Sequence, residues 1–223
     1  MSRSRPVAGG GRWVEVDPDR LARWLAGFRD RHGELDAAPA DGVLVVTAAD
    51  GTVARLHPPP GAPAVDGRPV DIGGSELDRF IAAARAPRRL GLLLARKGAA
   101  AVGVADGGRL TTSKVDSWYV QGRTAAGGQS QQRFARRRAN QASAAAGKAA
   151  DIVARLLLPA ASELAAVVTG GDRPTVEQIL ADPRLAPVRA LRSDRHLPVP
   201  TPNLAVLRDA VAAARAVGIH LAE

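Results

Sequence analysis

The chain has 223 residues, is 46% hydrophobic but only 3% aromatic, carries a net charge of +9 and contains no cysteine. That is enough apolar sequence to bury a core, built mainly from Ala, Val and Leu. The missing cysteines exclude a disulfide scaffold, thiolate metal sites and a cysteine nucleophile, and they fit a reducing, cytoplasmic setting. Of the 31 basic residues only Lys97, Lys114 and Lys148 are lysines. The charge is therefore presented almost wholly as guanidinium, a planar fork suited to phosphate. A GC-rich coding bias accounts for the ratio of Arg to Lys, but not for where the charge sits. No apolar run reaches the ~20 residues of a membrane span, and the basic, glycine-rich start lacks the apolar stretch of a signal peptide.

In chain order, residues 1–11 read as a disordered tail. Trp13 to Val16 alternates like a strand, and Asp17 caps a helix with Pro18 just inside it. Leu21, Trp24, Leu25 and Phe28 fall on one face of that helix, which Gly33 ends. A hairpin runs from Val43 to Thr47 and back from Val53 to Leu56, around Asp50-Gly51. Residues 12–60 are thus a strand–helix–hairpin region, expected to pack on the main domain. A Pro- and Gly-rich linker over 58–72 leads to that domain, assigned to 73–223.

Ser75 caps a helix to Ala84. Leu90 to Ala95 has the unbroken apolar character of a strand buried on both faces. Ala100 to Ala105 pairs with Arg109 to Lys114, and Ser117 to Gln121 is a further short strand. A long helix runs from Ser130 to Leu157. Leu164 to Thr169 is a strand, Pro174 to Leu180 a helix, and 182–202 an irregular stretch. Asn203 caps a helix to Ala216, before a terminal strand over Ile219 to Leu221. Hairpins early and crossovers late predict an α/β domain on a mixed β-sheet flanked by helices.

From Ser117 to Lys148 there is no acidic residue, while Arg123, Arg133, Arg136, Arg137, Arg138 and Lys148 carry +6 of the total charge. At helical spacing Arg133, Arg136, Arg137, Asn140 and Lys148 share one side of the long helix, and Ala142, Ala145, Ala149, Ile152 and Val153 share the other. Arg138 projects toward the apolar side. Such a stripe is either a solvated face or a phosphate-binding one. The helix N-terminus beside it, with free N–H groups, favours phosphate. Just before that helix stand Gly127, Gly128 and Gln129. The glycines allow a close approach of backbone to ligand. The Gln129 carboxamide, a donor and acceptor without charge, either caps the helix or orients a water and steadies an oxyanion. His32, His57, His196 and His220 are too scattered for a zinc site. His196 lies in a basic RSDRH stretch that could touch RNA. Trp118 and Tyr119 could stack a base, although strand alternation sends at least one of them to the core.

The segments RLGLLLARKGAAAVGV and GRLTTSKVDSWYVQGRTAAGGQSQQRFARRRANQA resemble the catalytic core of the Vms-like release-factor family, in its actinobacterial peptidyl-tRNA hydrolase branch. That family is related to the catalytic domain of the eukaryotic class-1 peptide-chain release factor. PVPTPNLAVLRDAV resembles the start of the family's terminal helix. The resemblance implies an RNase-H-like sheet. It places Gln129, with Gly127 and Gly128, at the catalytic position and adds Lys114 and Tyr119 to the RNA-contacting set. It implies peptidyl-tRNA as substrate, the large ribosomal subunit with its rRNA as partner, a monomer, and no metal or organic cofactor. Ala126 stands where the family's GxxQ loop begins with Gly. Two reactions therefore remain open: hydrolysis of the peptidyl ester, or endonucleolytic cutting of the tRNA CCA end. A non-catalytic ribosome- or RNA-binding factor and a DNA-binding protein are the competing classes.

Overall fold

A computed structural model describes residues 3–6, 10–63, 65, 75–118 and 130–222, with the backbone alone at 3–4 and 130–139. In chain order the elements are β1 (Arg3–Pro6), β2 (Arg12–Val16), α1 (Leu21–His32), β3 (Leu35–Ala40), β4 (Val43–Ala48), β5 (Val53–His57) and α2 (Glu76–Arg85). There follow β6 (Arg89–Arg96), β7 (Ala99–Asp106), β8 (Arg109–Ser117), α3 (Ser130–Leu157), β9 (Ala166–Gly171), α4 (Arg173–Leu180), α5 (Ala186–Ala190), β10 (Arg192–Leu197), α6 (Leu204–Arg215) and β11 (Val217–Leu221). The chain divides into two units, Met1–Pro87 with Ala212–Glu223, and Arg88–Val211. The second is inserted into the first. A single domain over 73–223 is therefore corrected: α2 and the terminal strand belong to the first unit, because β11 pairs between β2 and β5.

The first unit is a six-stranded antiparallel sheet in the order β1-β2-β11-β5-β4-β3. One face alternates inward, with Val14, Val16, Leu44, Val46, Ala54, Leu56, Val217 and Ile219 buried. From the helices, Leu21, Leu25 and Phe28 of α1 and Phe80 and Ala84 of α2 join this core. Burying each such Leu or Phe is worth about 1.5–3 kcal/mol. Gly218, in the middle of β11, is required by contact: a Cβ there would meet the Trp13 ring at 2.2 Å. Two strands differ from the sequence expectation. Residues 3–6 are not a free tail but pair with β2. β3, with the sequence LDAAPA, gives no apolar signal, yet it pairs with β4 at the sheet's edge, where a proline such as Pro39 is tolerated.

Helix α1 ends at Gly33, whose φ is 91°. Its last residue ties the helix to the β4–β5 turn: His32 Nδ1 lies 2.8 Å from Asp50 Oδ2. Asp50 Oδ1 also accepts the Thr52 N–H at 2.9 Å. The Thr52 backbone donor first, and His32 second, push the Asp50 carboxyl down to about 2 from 3.8. A depressed carboxyl stabilises the fold above its unfolded value and loses that contribution as pH falls through its folded value. A carboxyl-detected NMR titration should therefore place the Asp50 midpoint near pH 2, and Asp50→Asn should flatten the acid limb of stability between pH 3.8 and about 2. A midpoint at 3.8 would show that the tie does not form.

The second unit is a mixed five-stranded sheet in the order β10-β9-β6-β7-β8. β9 runs parallel to both β6 and β10, while β6-β7-β8 is an antiparallel meander. As its apolar run predicts, β6 is buried from Leu90 to Ala95. The meander's last strand is continuous from Arg109 to Ser117, and Tyr119 to Gln121 of the expected Ser117–Gln121 strand lie outside the described residues. The stretch 182–202, expected to be irregular, holds the short helix α5 and the strand β10. The polar sequence RSDRHL of β10 occupies an edge and pairs with β9 around a register irregularity. Gly171, at the end of β9, has φ of 95°, and a Cβ there would meet the Ala95 carbonyl oxygen at 2.2 Å. Asp172 then caps α4 by accepting the Thr175 N–H at 3.1 Å.

Candidate nucleic-acid interface

Helix α3 supplies most of the candidate side chains. At 1.5 Å per residue, its 28 residues make a rod of about 42 Å. Its C-terminal half is held by the core: Ala146, Ala149, Ala150, Ile152, Val153 and Leu157 are buried against the mixed sheet. The opposite side is open, with Asn140, Ala144, Gly147 and Lys148 exposed. That is the division the helical spacing predicts. The first half carries Arg133, Arg136, Arg137 and Arg138 on helical backbone.

The stripe ends at Asp151, the first acidic residue of the helix. This carboxylate accepts from Arg184 Nη2 at 2.8 Å. The same guanidinium is bound by Asp182 at 2.7 Å. Its hydrogen bonds hold the Asp182 carboxyl low, and Asp182 in turn raises Arg184. Asp151 is thus paired, though it shares that one guanidinium with Asp182, and no other residue of α3 is acidic.

β8 leads toward α3 from the other side. Lys114 sits on this edge strand opposite Val102 and is exposed. The half-exposed Asp116 faces Ala100, and its Oδ1 lies 2.9 Å from the Ser117 N–H. Trp118 donates its backbone N–H to Gly98 O at 2.6 Å, and its ring packs on the core. Trp118 is therefore placed partly in the core, as strand alternation expects of at least one of the two aromatics. Its ring helps line a cavity of about 40 Å³ with Arg96, Lys97, Ala145, Ala149 and Gln178. The chain leaving β8 is thereby pinned to the β6–β7 turn. Tyr119, Arg123, Gly127, Gly128 and Gln129 lie outside the described residues.

Two features escape sequence reasoning. Arg96 and Lys97, at the end of β6 and the turn after it, line the Trp118 cavity; the signal for them is only a Lys-Gly turn between apolar strands. His196 is not in a loop but in β10, with both ring nitrogens engaged. Nε2 lies 3.0 Å from Gly171 O, and Nδ1 lies 3.0 Å from the fully buried Thr169 Oγ1. A carbonyl only accepts, so Nε2 donates its hydrogen to Gly171 O, and Nδ1 shares a hydrogen bond with the threonine hydroxyl. His196 clamps two strands together and has no nitrogen left for RNA. Among the described residues, no group of three or more His, Asp or Glu side chains converges as metal ligands would. None of the described helices is long and apolar enough to cross a membrane.

Solved structures of translation factors share a broad likeness. The archaeal translation termination factor aRF1 aligns with a TM-score of 0.42 and 13% identity, over 91% of this chain and 63% of its own. Dom34 of S. cerevisiae, a translation termination-like factor, aligns with a TM-score of 0.35 and 8% identity, over 94% of this chain and 65% of its own. The chain thus spans less than two thirds of the length of either. No curated protein matches it in sequence. A family model does match, over residues 88–220, which takes in the whole inserted unit and all but the last residue of β11. This chain belongs to the Actinobacteria/Chloroflexi VLRF1 release factor family.

Proposed function

We propose that this protein is a cytoplasmic peptidyl-tRNA hydrolase that frees nascent peptides from tRNA on stalled large ribosomal subunits. One observation carries the reading: Gly127-Gly128-Gln129 runs directly into the first residue of a long helix whose leading half is basic and free of acid. The rear half of that helix is fixed in a core, so the front can be presented as a rigid arm.

In this reading the basic residues bind acceptor-stem or ribosomal RNA phosphates. Arg123, Arg133, Arg136, Arg137, Arg138 and Lys148 form the main set, and Lys114 and Tyr119 flank it. The Gln129 carboxamide holds a water against the ester carbonyl of the peptidyl-tRNA. Backbone N–H groups of the glycine loop and the helix start steady the oxyanion as water adds. The ester C–O bond then breaks, giving a peptide carboxylate and a tRNA with its terminal ribose hydroxyl restored. Gln129 is neutral near pH 7 and does not remove the proton itself. Its contribution is position.

The products test the proposal. Stalled large subunits carrying peptidyl-tRNA are incubated with the protein, and the 3′ end of the released tRNA is sequenced. An intact terminal adenosine is the expected result. A truncated CCA end would replace hydrolysis by attack of a ribose 2′-hydroxyl on the neighbouring phosphate.

A further inference from the structure

We propose that a groove along α1 is a second RNA-binding site, which stacks one unpaired base on Trp24 and holds the flanking phosphates with Arg20, Arg23 and Arg31. The groove has a volume of about 320 Å³ and lies wholly within the first unit. Its lining includes Arg20, at the N-cap of the helix, and Arg23, Trp24, Gly27 and Arg31 on it. Steps of three and four residues put them on one stripe of the helix surface. Gly27 makes the opening: a Cβ at that position would meet nothing nearer than Arg31 Nη1, at 3.9 Å.

The platform is rigid. Trp24 stacks on Phe28 with ring centroids 5.3 Å apart and planes 10° apart. Phe28 is 1% exposed and fixed in the core. A base laid on Trp24 would extend an aromatic stack that already exists, the usual way unpaired bases are held.

The charges are available. Other arginines are spent within the fold: Arg79 pairs with Glu76, Arg89 with Glu163, Arg184 with Asp182 and Arg192 with Glu177. Arg20, Arg23 and Arg31 make no ion pair with any described residue. The one carboxylate in the lining is Asp17, and its Oδ1 already accepts the Asp19 N–H at 2.9 Å. Three guanidinium groups around one aromatic ring suit a phosphate-linked base rather than an acidic peptide, which offers carboxylates but no planar base to stack. Membership of a release-factor family makes RNA the nucleic acid at hand. The site is independent of Gln129 and does not rest on the hydrolase reading.

The test is binding of a fluorescent unpaired RNA oligomer by anisotropy. The full chain is used, in a background carrying Arg136→Glu and Arg137→Glu to suppress α3. Arg23→Glu with Arg31→Glu should weaken binding at least about tenfold. Gly27→Gln, which fills the opening while favouring the helix, should weaken it by a similar factor. Far-ultraviolet circular dichroism checks that both variants stay folded. The proposal is overturned if either folded variant binds within about twofold of its parent. It is equally overturned if duplex RNA, which offers no unpaired base, competes as well as the oligomer. A DNA oligomer of the same sequence competing equally would remove RNA as the assigned ligand.

Discussion

Gln129→Ala should lower peptide release from stalled peptidyl-tRNA at least about 10²-fold, the usual cost of losing one positioned group at a developing oxyanion. Its affinity for the ribosome should stay that of the parent. The two readouts separate because they depend on different groups. Binding is shared among many guanidinium groups, so deleting one neutral side chain hardly alters it. The chemical step needs a water at one distance and one angle from a carbonyl carbon, and the carboxamide alone supplies that in this reading. Release is followed with labelled nascent peptide, and binding by co-sedimentation. A variant that releases at the parental rate would refute the hydrolase assignment and leave a ribosome-binding factor. Loss of both properties together would mean that the substitution had disturbed the helix start rather than the reaction.

Arg136→Glu with Arg137→Glu should weaken binding to tRNA or large subunits by at least about tenfold at low salt. It should also reduce the slope of log affinity against log salt by roughly 1.5–2, as expected when two phosphate contacts are lost. The direction follows from the charge pattern. Reversing two cations in an acid-free run replaces attraction for phosphate by repulsion, and the new carboxylates also lie within i,i+3 and i,i+4 reach of Arg133. The fold should tolerate the change, because Ala146 to Leu157 anchor α3 in the core. The measurement is a salt series on parent and variant. An unchanged slope would remove α3 from the RNA contact and leave its arginines as a solvated face.

The sequence discloses an element where burial dictates residue type. β6 is legible because both of its faces are covered, and LGLLLA admits no other reading. The rear of α3 is legible because Ala149, Ile152 and Val153 recur at helical spacing, and they are buried as that spacing requires. Edge strands are another matter. β3 and β10 are specified by backbone pairing on one side, so their side chains need not be apolar. LDAAPA and RSDRHL accordingly look like loops. The unit boundary was illegible for a related reason: nothing local in Val217–Leu221 tells which sheet it will enter. The same limit applies at the candidate site. Helical spacing shows which side of α3 carries charge. The cavity beneath Trp118 depends on a turn at Arg96–Gly98 that comes close only once the meander has formed.

The placement of β11 between β2 and β5 governs the order in which the molecule can be made. A chain emerging from the ribosome usually folds its leading domain first. Here the leading sheet lacks an interior strand until residue 221 is outside the tunnel. The inserted unit ends at Val211, ten residues before the end of β11, and so is complete first. Co-translational folding therefore runs in reverse: the helical arm is ready while the N-terminal residues still await their last partner.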